Sequence, residues 1–303
     1  MIRSSKSKRR LFSLLKKVRF VFIGFWLVVV VLLPLVWIFL TSIKPTEDTL
    51  SSTPVLFFTP TLQNYEFGAS IIDPYTHEPV FAGIASQFPR FLGNSILIAL
   101  MSTAIALFAG MLLAYVLSRT KFLGGTALLT FMLTIHAVTP IVFTPALFEI
   151  YQKIGLHDTH IGLSLIYATF ALPLTVWILK NFFDGTTKSI EESARIDGAS
   201  TLDILFRITL PQVKIGLVVA AVFAFTIAWN DFIFTLTLTE TNASTFVFLA
   251  DYFDDLLRVG TLAPGPLTSM SIVHMLPSFI FAFLIQRYLL IGFSAGTIRK
   301  EVE

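Results

Sequence analysis

The sequence predicts an all-α, polytopic membrane protein with six transmembrane helices and both termini in the cytoplasm. Three observations support this fold class. Of the 303 residues, 55% are hydrophobic and 14% are charged, whereas soluble chains contain about 25% charged residues. The hydrophobic residues form runs of about 20, which is the length a helix needs to cross the hydrocarbon layer. The basic residues are distributed unevenly between the segments that separate these runs.

Six apolar runs define the candidate membrane spans. The first run follows a basic tail, residues 1–19, and it is longer than the roughly 7 to 15 apolar residues of a signal peptide. Residues 41–45 offer no small-x-small cleavage site, so we interpret the first run as a retained helix. The predicted spans cover residues 20–41, 91–118, 126–150, 161–179, 215–239 and 267–285.

The basic residues indicate how these spans are oriented. With six crossings, 18 of the 22 Lys and Arg residues fall on the side that holds both termini, and four fall on the opposite side. Because cytoplasmic segments of membrane proteins contain the excess of Lys and Arg, both termini are expected in the cytoplasm of a multi-pass protein of the cell inner (plasma) membrane. The same excess of basic residues indicates contact with anionic lipid headgroups of the bilayer and not binding to nucleic acid.

This orientation divides the chain into four parts. Residues 1–19 form a basic cytoplasmic tail, and residues 20–90 hold the first span and a long, proline-rich extracytoplasmic segment. Residues 91–291 form the core transmembrane domain, with a large cytoplasmic loop at 180–214. Residues 292–303 form a cytoplasmic C-terminal tail.

The sequence offers little chemistry for catalysis or for driving transport. It has no cysteine and no G-x-x-x-x-G-K-[ST] loop for nucleotide phosphates, so we predict no catalytic residue, no metal site and no enzymatic activity. Apart from Glu149 at an interface, the ionisable residues within the spans are His136, Asp231 and His274. Structural roles are the simpler interpretation of these three, and an ion-coupled secondary transporter remains the alternative. If these residues do not couple transport to an ion, either a partner supplies the energy or the chain is a passive channel.

The cytoplasmic loop between spans four and five is predicted to form two short helices. Ser189 and Glu192 have the spacing of a capping box for the first helix. Glu191 stands four residues before Arg195, which favours an ion pair on the helix surface. Gly198 suits the left-handed residue that ends a helix, so we expect a sharp turn there.

The second helix of the loop follows directly. Ser200 or Thr201 is placed to cap its start, and Pro211 is expected to close it. On local chemistry alone, the loop is equally well interpreted as a capped helical turn at the membrane surface.

The spacing within this loop resembles the coupling loop of binding-protein-dependent ABC import permeases. That family has E-A-A, three residues, G, nine residues and I-x-L-P, and this chain repeats every interval. One position departs, with Ser193 where alanine is usual, and serine is small enough to keep the same packing. The matching residues are Glu192, Ser193, Ala194, Gly198, Ile208, Leu210 and Pro211.

Further similarities point to the MalG-like carbohydrate permeases within this family. They are Asn94-Ser95 at the start of span two, Trp229-Asn230-Asp231 in span five, and the tail at 286–296. Residues 1–90 resemble the family only in topology.

The resemblance implies a type I ABC importer permease fold that forms half of a translocation pathway for a sugar, oligosaccharide or polyol. It implies as partners a second permease subunit, two ATP-binding cassette subunits that bind ATP and Mg, and an extracytoplasmic solute-binding protein. This chain itself would need no cofactor. The loop would insert a short helix into a groove of an ATPase subunit, with Glu192 and Gly198 at the contact, and the outer segment 240–266 is a candidate contact for the binding protein. No substrate-contacting residue is assigned, because the aromatic and amide residues of the spans are more simply packing residues: Tyr115, Asn181, Trp229 and Asn230.

Overall fold

A computed structural model of the chain describes residues 3–49, 51, 53–66, 88–120, 124–240, 243, 245 and 264–298. Every regular element within these ranges is a helix, which confirms the predicted all-α class. The chain divides into two compact units, Met1–Val80 with Leu256–His274, and Phe81–Asp255 with Met275–Glu303. The second unit contains the loop predicted at residues 180–214.

The structure describes twelve α-helices within these ranges. In chain order they are α1 Arg3–Ser42, α2 Thr46–Thr49, α3 Phe88–Arg119, α4 Gly125–His136, α5 Thr144–Ile154, α6 His160–Asp184, α7 Lys188–Ile196, α8 Thr201–Asp203, α9 Leu210–Gln212, α10 Lys214–Asn230, α11 Ile233–Leu238 and α12 Pro264–Ile298. Two 3-10 turns, Gln63–Tyr65 and Pro140–Val142, and one π-helix, Ile204–Thr209, lie between them.

The first unit contains α1 and the irregular chain that follows it. The prolines of this segment predicted irregular backbone, and the described part from residue 43 to residue 66 contains only α2 and one 3-10 turn. The Asn64 amide donates to the carbonyls of Ser42 at 3.0 Å and Lys44 at 2.7 Å. These bonds fix the segment against the end of α1.

Three long helices, α3, α6 and α10, pack against one another and form the core of the second unit. Small buried side chains between these helices let the backbones approach closely, as is usual between helices in membranes. These residues are Ala106 on α3, Ala168 and Ala171 on α6, and Ala224 on α10. Larger buried side chains complete the core in two clusters, one with Tyr167 and Phe234 and the other with Leu179 and Phe183.

The predicted third span, residues 126–150, is two helices and not one. α4 ends at His136 and α5 begins at Thr144, after the 3-10 turn. Pro140 explains the interruption, because proline has no N–H to donate and favours an extended conformation in the residue before it. Thr139 is extended accordingly, with φ −60° and ψ 131°. The expectation of a continuous helix here is therefore wrong.

The predicted fifth span, residues 215–239, also contains a break. α10 ends at Asn230, and Asp231 is extended, with φ −77° and ψ 136°, before α11 begins. The Asp231 carboxylate accepts hydrogen bonds from the Phe234 N–H at 2.9 Å and from the Tyr167 hydroxyl at 3.1 Å. Asp231 thus satisfies a free backbone donor at the start of α11, which agrees with the structural role favoured from the sequence.

Within the described residues, four helices are long and apolar enough to cross a membrane: Lys16–Ser42, Phe88–Arg119, His160–Asp184 and Leu267–Leu284. A fifth candidate is a bent pair, Thr201–Gln212 and Lys214–Asn230, with 85° between its helices. These helices agree with a multi-pass membrane protein. α4 has 12 residues and is too short to cross by itself, since a full crossing needs about 20.

Candidate functional site

The loop predicted at residues 180–214 folds as two helical arms joined by a tight turn. The first arm is α7, and Gly198 follows it with φ +86°. The Gly198 N–H donates to the Arg195 carbonyl at 3.1 Å, and the Ala199 N–H donates to the Ala194 carbonyl at 2.9 Å. This pair of bonds is a Schellman motif, which closes a helix through a left-handed residue. The predicted left-handed residue at the end of this helix is confirmed at Gly198.

The second arm runs through α8, the π-helix and α9. Ser200 caps its start, as predicted, because its hydroxyl accepts from the Asp203 N–H at 3.2 Å. The arm ends at Gln212, one residue after Pro211. The π-helix ends at Thr209, two residues before this proline, and its wider turn relieves the clash that a proline ring makes with the carbonyl four residues earlier.

The seven residues of the coupling pattern divide by exposure. Glu192, Ser193, Gly198 and Pro211 are exposed, and Ala194, Ile208 and Leu210 are half-buried. Two aliphatic side chains on either side of the turn are also exposed, Ile196 at 87% and Leu202 at 61%. The turn between the arms therefore offers an acidic group and apolar side chains to a partner.

Two local predictions for the first arm are wrong. α7 begins at Lys188 after Thr187, so Ser189 lies inside the helix and forms no capping box with Glu192. The ion pair expected between Glu191 and Arg195 is also absent from the described residues, because Glu191 points inward and is only 4% exposed.

Glu191 instead binds three side chains from two other helical elements, α3 and the π-helix of the second arm. The Arg119 guanidinium, at the end of α3, donates to both carboxylate oxygens, from Nη2 at 2.6 Å and from Nε at 2.9 Å. The Thr209 hydroxyl, in the second arm, donates at 2.9 Å, and the Tyr115 hydroxyl donates at 3.2 Å. Glu191 therefore connects the two arms to α3.

Arg119 extends these contacts to the end of α6. Its Nη1 donates to the Phe183 carbonyl at 2.9 Å, and its Nη2 donates to the Thr186 hydroxyl at 2.5 Å. We call Tyr115, Arg119, Thr186, Glu191 and Thr209 the Glu191 cluster.

The charge of Glu191 is stabilised by these partners. Burial alone would raise the pKa of Glu191, but the hydrogen bonds from Arg119 and Thr209 outweigh burial and hold the pKa below its usual value. The carboxylate is therefore ionised at neutral pH. A buried ion pair offsets the cost of desolvation only where the geometry is good and the remaining lone pairs are satisfied, and both conditions hold here.

The Glu191 cluster is not apparent from the sequence alone. Local patterns indicate only that Arg119 is a basic residue after a span and that Glu191 is a residue of a short surface helix. One sequence feature nevertheless indicates the cluster. The spacing of Glu191 and Ala194 places both residues on one face of α7, and the structure shows that this face is turned inward.

Two of the ionisable residues noted within the predicted spans have partners in the described part of the chain, His136 and Asp231. His136 Nδ1 lies 2.9 Å from the Phe170 carbonyl, and Asp231 caps α11. No group of three or more His, Cys, Asp or Glu residues is placed to hold a metal within that part. Most of the outer segment 240–266 lies outside the described residues.

Comparison with known proteins identifies the family. The family described as "Binding-protein-dependent transport system inner membrane component" matches residues 106–293. The trehalose transport system permease SugB of Mycobacterium tuberculosis is 34% identical, over 88% of this chain and 92% of its own. The trehalose/maltose permease MalG of Thermococcus litoralis is 29% identical, over 95% of this chain and 99% of its own.

A solved structure supports the same fold. It is a bacterial ABC transporter involved in the import of the acidic polysaccharide alginate, with a TM-score of 0.69 and 20% identity, covering 93% of this chain and 97% of the matched chain. The resemblance inferred from the coupling pattern is confirmed by the match over residues 106–293. The chain belongs to the family of binding-protein-dependent transport system inner membrane components, the permease subunits of ABC transporters.

Proposed function

We propose that this chain is the permease subunit of an ATP-driven, binding-protein-dependent importer for a sugar, oligosaccharide or polyol. The solutes named for its relatives, trehalose and maltose among them, support this substrate class. The chain would form half of the pathway together with a second permease subunit. Two ATP-binding cassette subunits would bind and hydrolyse ATP, and an extracytoplasmic binding protein would deliver the solute.

The proposal includes six crossings with both termini in the cytoplasm. The broken pairs α4 with α5 and α10 with α11 would each make one crossing, in addition to the four long apolar helices. Irregular backbone at membrane depth is tolerated where it is buried in protein, and Asp231 already satisfies one such break. The excess of basic residues on the side of the termini supports this orientation.

The observation that supports the ATPase contact best is the geometry of the coupling turn. Glu192, Ser193 and Ala194 lie on the first arm, and Gly198 fixes the angle at which that arm ends. In the second arm, Ile208 and Leu210 are half-buried and Pro211 is exposed. We infer that the exposed turn enters a groove of the ATPase subunit, with Glu192 and the exposed Ile196 at the contact.

Co-purification tests this contact. The ATPase subunit that co-purifies with the chain from native membranes is co-expressed with wild type and with Glu192→Lys. Charge reversal at the contact is expected to abolish capture of the ATPase while leaving the amount of chain in the membrane unchanged. Glu149→Lys is the control, because Glu149 is also an exposed glutamate on a helix but lies outside the loop.

Two results would contradict the proposal. Full capture of the ATPase by Glu192→Lys would place the contact elsewhere. Uptake that proceeds without ATP and collapses with the proton gradient would instead identify an ion-coupled secondary transporter.

A further inference from the structure

The Glu191 cluster lies at the base of the coupling loop, away from the exposed turn. We propose that the ion pair between Arg119 and Glu191 positions the coupling loop, so that both arms move as one rigid body with α3 and α6. This inference rests on the proposed function, since it concerns how a movement imposed on the turn reaches the membrane helices.

The contacts of the cluster join every element that must move together. Glu191 lies on the first arm, and its carboxylate accepts from Thr209 on the second arm at 2.9 Å. The same carboxylate accepts from Arg119 at the end of α3 at 2.6 and 2.9 Å. Relative movement of the two arms, or of either arm against α3, would therefore break a buried hydrogen bond.

The connection between α6 and the first arm is held in the same way. Thr186 lies in this connection, where its hydroxyl accepts from Arg119 and donates to the Phe183 carbonyl at 2.8 Å. The Phe183 carbonyl also accepts from Arg119 at 2.9 Å. A connection fixed by these bonds transmits a displacement from α7 to α6 and does not act as a hinge.

Burial distinguishes this ion pair from the other ion pairs of the described residues. The side chains of Arg119 and Glu191 are 7% and 5% exposed, whereas those of Arg207 and Asp203 on the second arm are 81% and 45% exposed. Exposed pairs contribute little because water competes for both charges. Breaking a buried pair leaves an unpaired charge in the protein interior. Bending that separates Arg119 from Glu191 therefore costs much more free energy than separating the exposed pair Arg207 and Asp203.

The shape of the arginine side chain is also required. Arg119 donates from Nε, Nη1 and Nη2 to acceptors on α6, α7 and the α6–α7 connection, and these donors lie in one rigid plane. A lysine would retain the charge but would offer a single nitrogen. Arg119→Lys therefore separates the need for a positive charge from the need for a fixed arrangement of the two arms.

Transport measurements on the assembled complex test this role. Glu191→Gln and Arg119→Lys are compared with wild type in proteoliposomes that contain the co-purified complex, with Glu149→Gln as the control. The expected result is that the ATPase subunits remain bound at the wild-type ratio while solute taken up per ATP hydrolysed falls about fivefold or more, the lower range of coupling between sites. Glu149→Gln should leave this ratio unchanged.

A distance measurement tests the rigidity directly and does not require transport. The chain has no cysteine, so spin labels attach only where cysteines are introduced. We expect a narrow distance distribution between labels at Ile196→Cys on α7 and Trp177→Cys on α6, and a clearly broader one when Glu191→Gln is added. If Glu191→Gln does not fold, Thr209→Val removes only the bond to the second arm. With labels at Leu202→Cys on that arm and Trp177→Cys on α6, this variant should give a broader distribution than wild type.

These results separate the inference from the proposed function. An unchanged distance distribution, or uptake that falls only in proportion to the amount of folded complex, would overturn the positioning role and leave the importer assignment intact. If no ATPase subunit co-purifies with the wild-type chain, the proposed function itself fails, and the distance measurement still reports whether the base is rigid.

Discussion

Glu191 and Glu192 are neighbours on the same helix, yet their surroundings are opposite. Glu191 is 4% exposed and accepts hydrogen bonds from Arg119, Thr209 and Tyr115. Glu192 is exposed, and no pairing partner for it is found among the described residues. Successive residues of an α-helix differ in direction by about 100°, so one side chain faces the helix bundle while the next is exposed on the surface.

This difference shows how a short loop serves two purposes at once. The inward face of α7 is fixed to the protein by a buried ion pair, and the outward face remains available to a partner. A change at the base should therefore affect the stability and the rigidity of the loop, whereas a change at the turn should affect binding of the ATPase.

The largest expected effect follows from removing the buried carboxylate. Glu191→Ala leaves the Arg119 guanidinium buried without its counter-charge, a loss of about 3 to 5 kcal/mol in the free energy of unfolding. Glu192→Ala, at an exposed position, should change it by less than about 0.5 kcal/mol. Thermal unfolding of the two purified variants in the same detergent makes the comparison, and equal melting temperatures would show that the base is not held by this ion pair.

A smaller effect is expected at the turn itself. Gly198 has φ +86°, and a Cβ there would meet no atom within 4 Å, so Gly198→Ala introduces backbone strain of about 1 to 2 kcal/mol without a clash. Gly155, which ends α5 with φ +72° and equally open space, provides a matched control. Both variants should lose similar stability, but only Gly198→Ala should reduce transport per ATP.

An asparagine variant sharpens this test. Asparagine tolerates the left-handed conformation better than alanine, so Gly198→Asn should recover much of the lost coupling. If Gly155→Ala uncoupled transport to the same degree, general destabilisation would explain the effect, and the turn angle would not.

Local patterns in the sequence predicted much of this fold. The predicted spans 91–118 and 161–179 lie within α3, Phe88–Arg119, and α6, His160–Asp184. These predictions hold because the length of an apolar run is set by the thickness of the bilayer. The Gly198 turn was also predictable, because few residues other than glycine adopt a positive φ without strain.

Long-range contacts and helix breaks were harder to predict. Arg119 and Glu191 are 72 positions apart, and the sequence offered Arg195 as a nearer partner for the same carboxylate. The break before α5 depends on Pro140, which lies within an otherwise continuous apolar run. Periodicity and composition describe each helix separately, whereas the Glu191 cluster exists only because α3, α6 and both arms meet.

The smallest expected effect concerns the one departure from the family pattern. Ser193 lies on α7 and is exposed, so Ser193→Ala should stabilise the helix by about 0.5 kcal/mol or less, the difference in helix propensity between serine and alanine. Capture of the ATPase and transport per ATP should remain at wild-type levels, because alanine is the usual residue of the family at this position. Titration of the purified ATPase subunit against both forms of the chain measures this directly. A loss of affinity on Ser193→Ala would show that the serine hydroxyl makes a contact of its own, and that the exposed face of α7 is adapted to one particular ATPase subunit.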